Sequence, residues 1–299
     1  MKRKHWFIAE APLHLMLLPA VVLVFIFHYL PMFGIVMAFQ KFNPIRSFFG
    51  SQWVGLKNFT YLFNLPTFGS VMRNSVEIAF VKIILGLLVP LLLALLLNEV
   101  TQERFKKAAQ TVFFLPFFLS WVILGGVFRE VFALDGVVNS ILQTLTGEKI
   151  FFMSDGGWVR VIIFVTDTWK DMGYNMVIFL AAITNIDSGL YEAAAIDGCG
   201  KVRQCWHVTL PGMRPMIVLL ATLSIGSILN AGFDQIFNLY NPMVYDSVDI
   251  IDTFVYRMGM ENRQYSVSAA IGLFKSVLSL FFVGTAYFCA YKFSDYRIF

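Results

Sequence analysis

The chain has 299 residues, 58% of them hydrophobic and only 14% charged, where soluble domains carry about a quarter. That excludes a water-soluble globular protein and implies a polytopic membrane protein built of helices. The net charge of +4 is too small and too dispersed for a nucleic-acid surface, and the cysteines Cys199, Cys205 and Cys289 share no metal-like spacing with the four histidines, so neither nucleic acid nor a metal is expected.

Residues 1–12 read as a basic tail carrying Lys2, Arg3 and Lys4. Residues 13–39 hold no Asp, Glu, Lys or Arg and form a first span, too long for a cleaved signal and without a small-residue cleavage site. Residues 13–74 thus comprise this span and an outer loop resting on the interface through Trp53 and Tyr61. Residues 75–292 form a core of five more spans, followed by a tail over 293–299. The second span is 76–97, with Lys82 free to snorkel or to face protein; 98–109 is a charged turn. The third is 110–128, kinked at Pro116, and 129–158 is an outer loop. The fourth is 159–186, the fifth 216–238 and the sixth 269–291, with polar segments at 187–214 and 239–268. Six spans place both ends on one side. Lys and Arg are denser in the segments that share a side with the N-terminus, so both termini are expected in the cytoplasm.

The fourth span is anomalous. Lys170, Asp171 and Tyr174 follow Asp167 at three, four and seven positions, which lines all four along one helix stripe. At about 2.5 to 3.5 kcal/mol for each charge at mid-bilayer, the stripe costs roughly 8 kcal/mol against lipid. It therefore faces a wet cavity or partner helices, as a solute path or as an ion cluster that fixes packing. By its own residues the stripe carries a net charge of about minus one.

Residues 192–211 are a polar island. Asp187 and Ser188 can cap a helix here, Glu192 lies near its positive end, and Gly198 and Gly200 can stop it. This makes a stub of about ten residues, roughly 15 Å long. The small side chains of Ala193, Ala194 and Ala195 let another protein approach closely.

Glu192-Ala193-Ala194, then Gly198, then Val208-x-Leu210-Pro211 resembles the "EAA" loop of permease subunits in bacterial ATP-binding-cassette importers, with valine in place of isoleucine. The resemblance implies an all-α, six-span type I importer permease in the bacterial cell membrane. It makes Glu192, Ala193, Ala194, Asp197, Gly198, Leu210 and Pro211 a docking set for a cytoplasmic ATPase. It also implies a homologous second permease, two ATPase subunits and an extracytoplasmic sugar-binding protein, with ATP and magnesium held by the ATPases and no cofactor on this chain. Gly198-Cys199-Gly200-Lys201-Val202 lacks the hydroxyl that a phosphate-binding loop gives to magnesium, so no ATP hydrolysis is expected from the chain itself.

The segment 167–174 is similar in position to a sugar-contacting turn of the maltose importer's channel subunit, which has neutral groups where Asp167 and Asp171 stand. The same resemblance adds Phe117, Trp121, Ser227 and Asn230 to the substrate path. Residues 53–59, 240–257 and 272–276 resemble the branch that carries complex oligosaccharides released from polysaccharides, so an oligosaccharide substrate is implied. The alternative is a proton-coupled secondary transporter using Asp167 and Asp171. An intramembrane enzyme lacks any recurring Ser/His, Asp-pair or His-x-x-x-His arrangement.

Overall fold

A computed structural model describes the backbone of residues 2–294 and the side chains of 12–288 and 292. Met1, residues 295–299 and the side chains of Lys2, Arg3, Lys4 and Cys289, on which some expectations above rest, lie outside the described residues. Among the described residues the fold is helical apart from one antiparallel strand pair, Gln40–Lys41 (β1) with Gln52–Trp53 (β2), in which Gln40 faces Trp53. The chain forms two compact units, residues 1–64 with 255–274, and residues 65–254 with 275–299.

In the first unit a helix over Lys2–Val24 (α1) runs through a π turn, Phe25–Tyr29, into a tighter stretch, Leu30–Phe39. Its apolar window has no cover from the chain itself, as a span bathed in lipid or awaiting a partner requires. The loop behind it is ordered locally. Phe39 stacks on Trp53 with centroids 5.6 Å apart, and the Asn58 amide donates to the carbonyls of Ala38 and Gln40 at 2.8 and 3.0 Å.

The second unit carries the remaining architecture apart from residues 255–274, which belong to the first. Pro66–Asn98 (α2) starts at Pro66 rather than at 76, because a proline in the first turn is a starter, not a breaker. Glu103–Phe114 (α3) follows a turn shorter than the sequence suggests. Beyond Leu115–Phe118 the chain turns by 98° into Trp121–Val131 (α4), so Pro116 marks a break and not a kink. The loop over 129–158 contains Val137–Thr146 (α5), held by the buried Asn139 amide, which donates to Ala133 and Ile150 carbonyls at 2.9 Å each. Nearby, a hydrogen bond from Lys149 at 2.8 Å holds the Asp135 carboxyl below the usual carboxylate range. This clasp therefore persists at neutral pH and opens only as the pH falls through that lowered value.

Gly156–Thr184 (α6) is capped by the Asp155 carboxylate, which accepts from the Trp158 N–H at 2.9 Å. It bends by 70° into Ser188–Ile196 (α7). Lys201–Gly226 (α8) is continuous over 26 residues, so residues 201–214 are helix rather than loop. The π turn Cys205–Thr209 loosens the ladder just before Pro211, which cannot donate. The fifth span stops at Gly226 instead of reaching 238; after a break comes the short helix Phe233–Leu239 (α9). Tyr265–Ser294 (α10) closes the described chain. Among the described residues, four helices are long and apolar enough to cross a membrane, and six spans result when each bent pair counts as one.

The core lies between α2, α6 and α8, where Ala94, Leu97, Met176, Phe179, Leu180, Ile183 and Met213 are buried together. Met176, Phe179, Leu180 and Ile183 fall on one stripe at helical spacing. Just above them, a Cβ on Gly173 would sit 2.1 Å from the Phe113 carbonyl oxygen, so α3 and α6 touch backbone to backbone. Gly173→Ala is expected to destabilise the purified chain by about 1 to 3 kcal/mol through overpacking. A thermal midpoint in detergent equal to that of the parent would contradict this contact.

Candidate functional site

Two helix breaks and three embedded lysines build the site. At the first break Leu119 is extended and the Ser120 hydroxyl accepts from the Ile123 N–H. The broken ladder frees carbonyls that lipid cannot satisfy. Lys170, which is buried, donates to the Phe117 carbonyl at 2.9 Å and lies 5.1 and 5.8 Å from the Phe117 and Trp121 ring centroids.

At the second break, between α8 and α9, Gly232 adopts φ +95°. Lys82 reaches in from α2 and donates to the Ala231 carbonyl at 2.8 Å and to the Gln235 side-chain oxygen. It also pairs with Asp167 of α6 at 2.8 Å. Lys275 of α10 donates to the Asn230 side-chain oxygen at 2.8 Å and pairs with Asp252 at 2.5 Å.

A cavity of about 290 Å³ opens between these elements. Asp167, Asp171, Trp121, Ser227 and Asn230 line it, together with Lys82, Thr168, Asn175, Ser224 and Gly232. Three sequence candidates fall outside the lining. Lys170 turns to the first break, while Phe117 and Tyr174 stack on each other with centroids 4.8 Å apart. The stripe therefore splits, because successive turns of α6 meet different neighbours. Lys82, which reads as snorkelling or facing protein, is tied to the second break, and so is Lys275. The signal that could have found Lys82 is its sign: a cation in one span and Asp167 in another each need a counter-ion in lipid. With Lys82 counted, Asp167 is matched, and the net negative stripe becomes a balanced set of two lysines and two aspartates.

On α7, Asp187 is the cap, accepting from the Gly189 N–H at 2.9 Å, and Ser188 is the first helical residue. Gly198 ends it at φ +75°, with Gly198 N–H to Ala195 at 3.1 Å and Cys199 N–H to Ala194 at 2.9 Å. The helix has no buried residue. Glu192, Ala193 and Asp197 are exposed, Ala194 is half-buried, and Ile196 is 87% exposed. Leu210 and Pro211 are not in this loop; they belong to α8. The Tyr191 hydroxyl, 3.0 Å from that of Thr209, fastens the stub to α8, and a 3.3 Å pair joins Lys201 at the start of α8 to Glu99 at the end of α2.

A helical membrane protein whose polar cavity is walled by broken helices, and which holds out a short bare helix from the same framework, has the parts of a transport subunit. Residues 83–289 match the family of binding-protein-dependent transport system inner membrane components, and the chain belongs to that family. It is 40% identical over 293 residues to the polygalacturonan/rhamnogalacturonan transport system permease protein YteP of Bacillus subtilis (strain 168), covering 98% of this chain and 91% of that protein. It superposes with TM-score 0.91 and 32% identity on a chain of a bacterial ABC transporter involved in import of the acidic polysaccharide alginate, covering 98% of this chain and 100% of the other. A bacterial alginate ABC transporter bound to its alginate pentasaccharide-loaded periplasmic protein gives TM-score 0.90 at 32% identity, over 98% of both chains. The chain is thus a multi-pass, all-α permease of the type I importer fold. The proton-coupled alternative finds no support.

Proposed function

We propose that this permease of a sugar ABC importer forms half of an oligosaccharide path and docks a cytoplasmic ATPase through α7. The observation that carries the reading is α8. Ser224 at one end stands in the cavity wall, and Lys201 at the other adjoins the exposed stub, so a single continuous helix spans from solute to motor. Trp121 offers a ring face, and Asp171, Asn175, Ser227 and Asn230 offer hydroxyl partners, as a saccharide needs. Glu192, Ala193, Ala194, Asp197 and Gly198 form the docking surface, with Leu210 and Pro211 inside the helix that carries its movement.

The missing half of the path comes from a homologous second permease. Two ATPase subunits hold ATP and magnesium, and an extracytoplasmic sugar-binding protein delivers the solute. The density of Lys and Arg supports cytoplasmic termini. The names of the relatives support a polysaccharide-derived oligosaccharide as substrate.

The test is reconstitution in liposomes. The chain alone is expected to hydrolyse no ATP, and the full assembly to show hydrolysis stimulated by sugar-loaded binding protein. Uptake that collapses with a protonophore while ATP is clamped, or turnover by the chain alone, would overturn the reading.

A further inference from the structure

Lys82 has no role in the reading above, yet its surroundings are the most constrained in the cavity wall. An ammonium has three hydrogens, and all three are committed: to Asp167 on α6, to the Ala231 carbonyl in the second break, and to Gln235 on α9. Gln235 is fully buried and donates onward to the Ile163 carbonyl at 2.8 Å and the Thr166 hydroxyl at 2.9 Å, both on α6. From α2 the lysine therefore ties α6 by side-chain bonds to the second break and to α9, the last two being continuous through the Ile236 N–H to Gly232 carbonyl bond of 3.1 Å.

Gly232 completes the arrangement. A Cβ at this position would stand 2.7 Å from the Lys82 nitrogen, and its φ of +95° suits glycine. The chain gives up a side chain here and thereby makes room for the ammonium. The knot also borders the solute space, since Lys82, Asp167, Ala231 and Gly232 all line the cavity. Its third member, the 227–232 segment, directly follows α8, whose other end adjoins the docking stub.

From this juxtaposition we infer that Lys82 is a positioning residue. It latches the cavity end of α8 to α2 and α6, so that solute in the cavity competes with the latch and frees α8 to signal to α7. The inference rests on the proposed function for its readout. A two-state element is what such coupling requires; the break supplies it, because two glycines, Gly226 and Gly232, flank a segment held by short turn bonds and by the side chains of Lys82 and Lys275 rather than by a helix ladder.

The test uses the reconstituted assembly with its binding protein and compares ATP hydrolysis with and without bound oligosaccharide. Lys82→Met is expected to raise basal hydrolysis and to cut the sugar-dependent stimulation at least fivefold. A purely structural role, in which Lys82 only neutralises Asp167, predicts that the double variant Lys82→Met with Asp167→Asn recovers stimulation. The latch predicts that it does not, since Ala231 and Gln235 still lack their donor. The double variant leaves no unpaired charge, so it decides the matter even if the single variant fails to assemble. Wild-type stimulation in the double variant overturns the latch alone. An absence of sugar stimulation in the parent assembly overturns the proposed function and the latch with it.

Discussion

Replacing Gly198 with valine is expected to abolish uptake while leaving the membrane domain folded. No atom lies within 4 Å of where a Cβ at 198 would stand, so the substitution disturbs no packing. It acts through the backbone alone. At φ +75° a non-glycine residue is strained by about 1 to 2 kcal/mol, and a β-branched one is an outlier. The nine-residue helix it terminates has no buried side chain to hold it in place, so the turn yields and Ile196 and Asp197 move off their docking positions. Uptake below about a hundredth of the parent rate is expected, since a loss of roughly 3 kcal/mol at a docking interface is already more than a hundredfold. The ATPase subunits should also fail to co-purify. Gly198→Asn is the control, because asparagine enters the left-handed region routinely, and it should retain most of the activity. Normal transport by the valine variant would remove α7 from the coupling role.

The difference between what could and could not be read from the sequence follows from the range of the forces involved. The stub was legible because its limits are set locally: Asp187 caps its own helix two residues on, and Gly198 supplies a backbone angle that it needs no partner to adopt. The spans were legible because apolar length alone decides them. The breaks were not. Pro116 announces a disturbance, but a 98° turn persists in lipid only because Lys170, 53 positions away, covers the Phe117 carbonyl. The end of α8 leaves only the weak local mark of Gly226 and Gly232, since Ile228, Leu229 and Ala231 between them are buried and apolar like a span. Its other mark is Lys82, 149 positions away from Ala231. The candidate site divides along the same line. Asp167 and Asp171 were identifiable from what charge costs in a membrane, whereas Tyr174 and Phe117 could not be separated from them by periodicity, because the neighbour that takes each turn of α6 lies elsewhere in the chain.

Asp171→Asn is expected to shift the preference of the importer toward acidic sugars by about tenfold relative to neutral ones. The charges in the wall give the direction. In the latched arrangement Lys82 has no hydrogen left for a solute, and Asp167 is matched to it. Asp171 is different: its carboxylate is 3.7 Å from Lys170, which spends itself on the Phe117 carbonyl, and its side chain is 47% exposed. The group most available to a sugar on this wall is thus an acceptor of hydroxyl hydrogens. A uronate carboxylate within about 4 Å of it would be repelled by up to about 4 kcal/mol at an effective dielectric of 20. An amide keeps the shape and most of the hydrogen bonding and removes the repulsion. The check is paired uptake of trigalacturonate and neutral galactotriose in cells carrying either the parent or the Asp171→Asn chain. The binding protein is common to both strains, so its own selectivity cancels in the ratio of ratios. An unchanged ratio with both uptakes reduced would make Asp171 a packing residue, whereas a rise confined to the acidic sugar would place it against the solute.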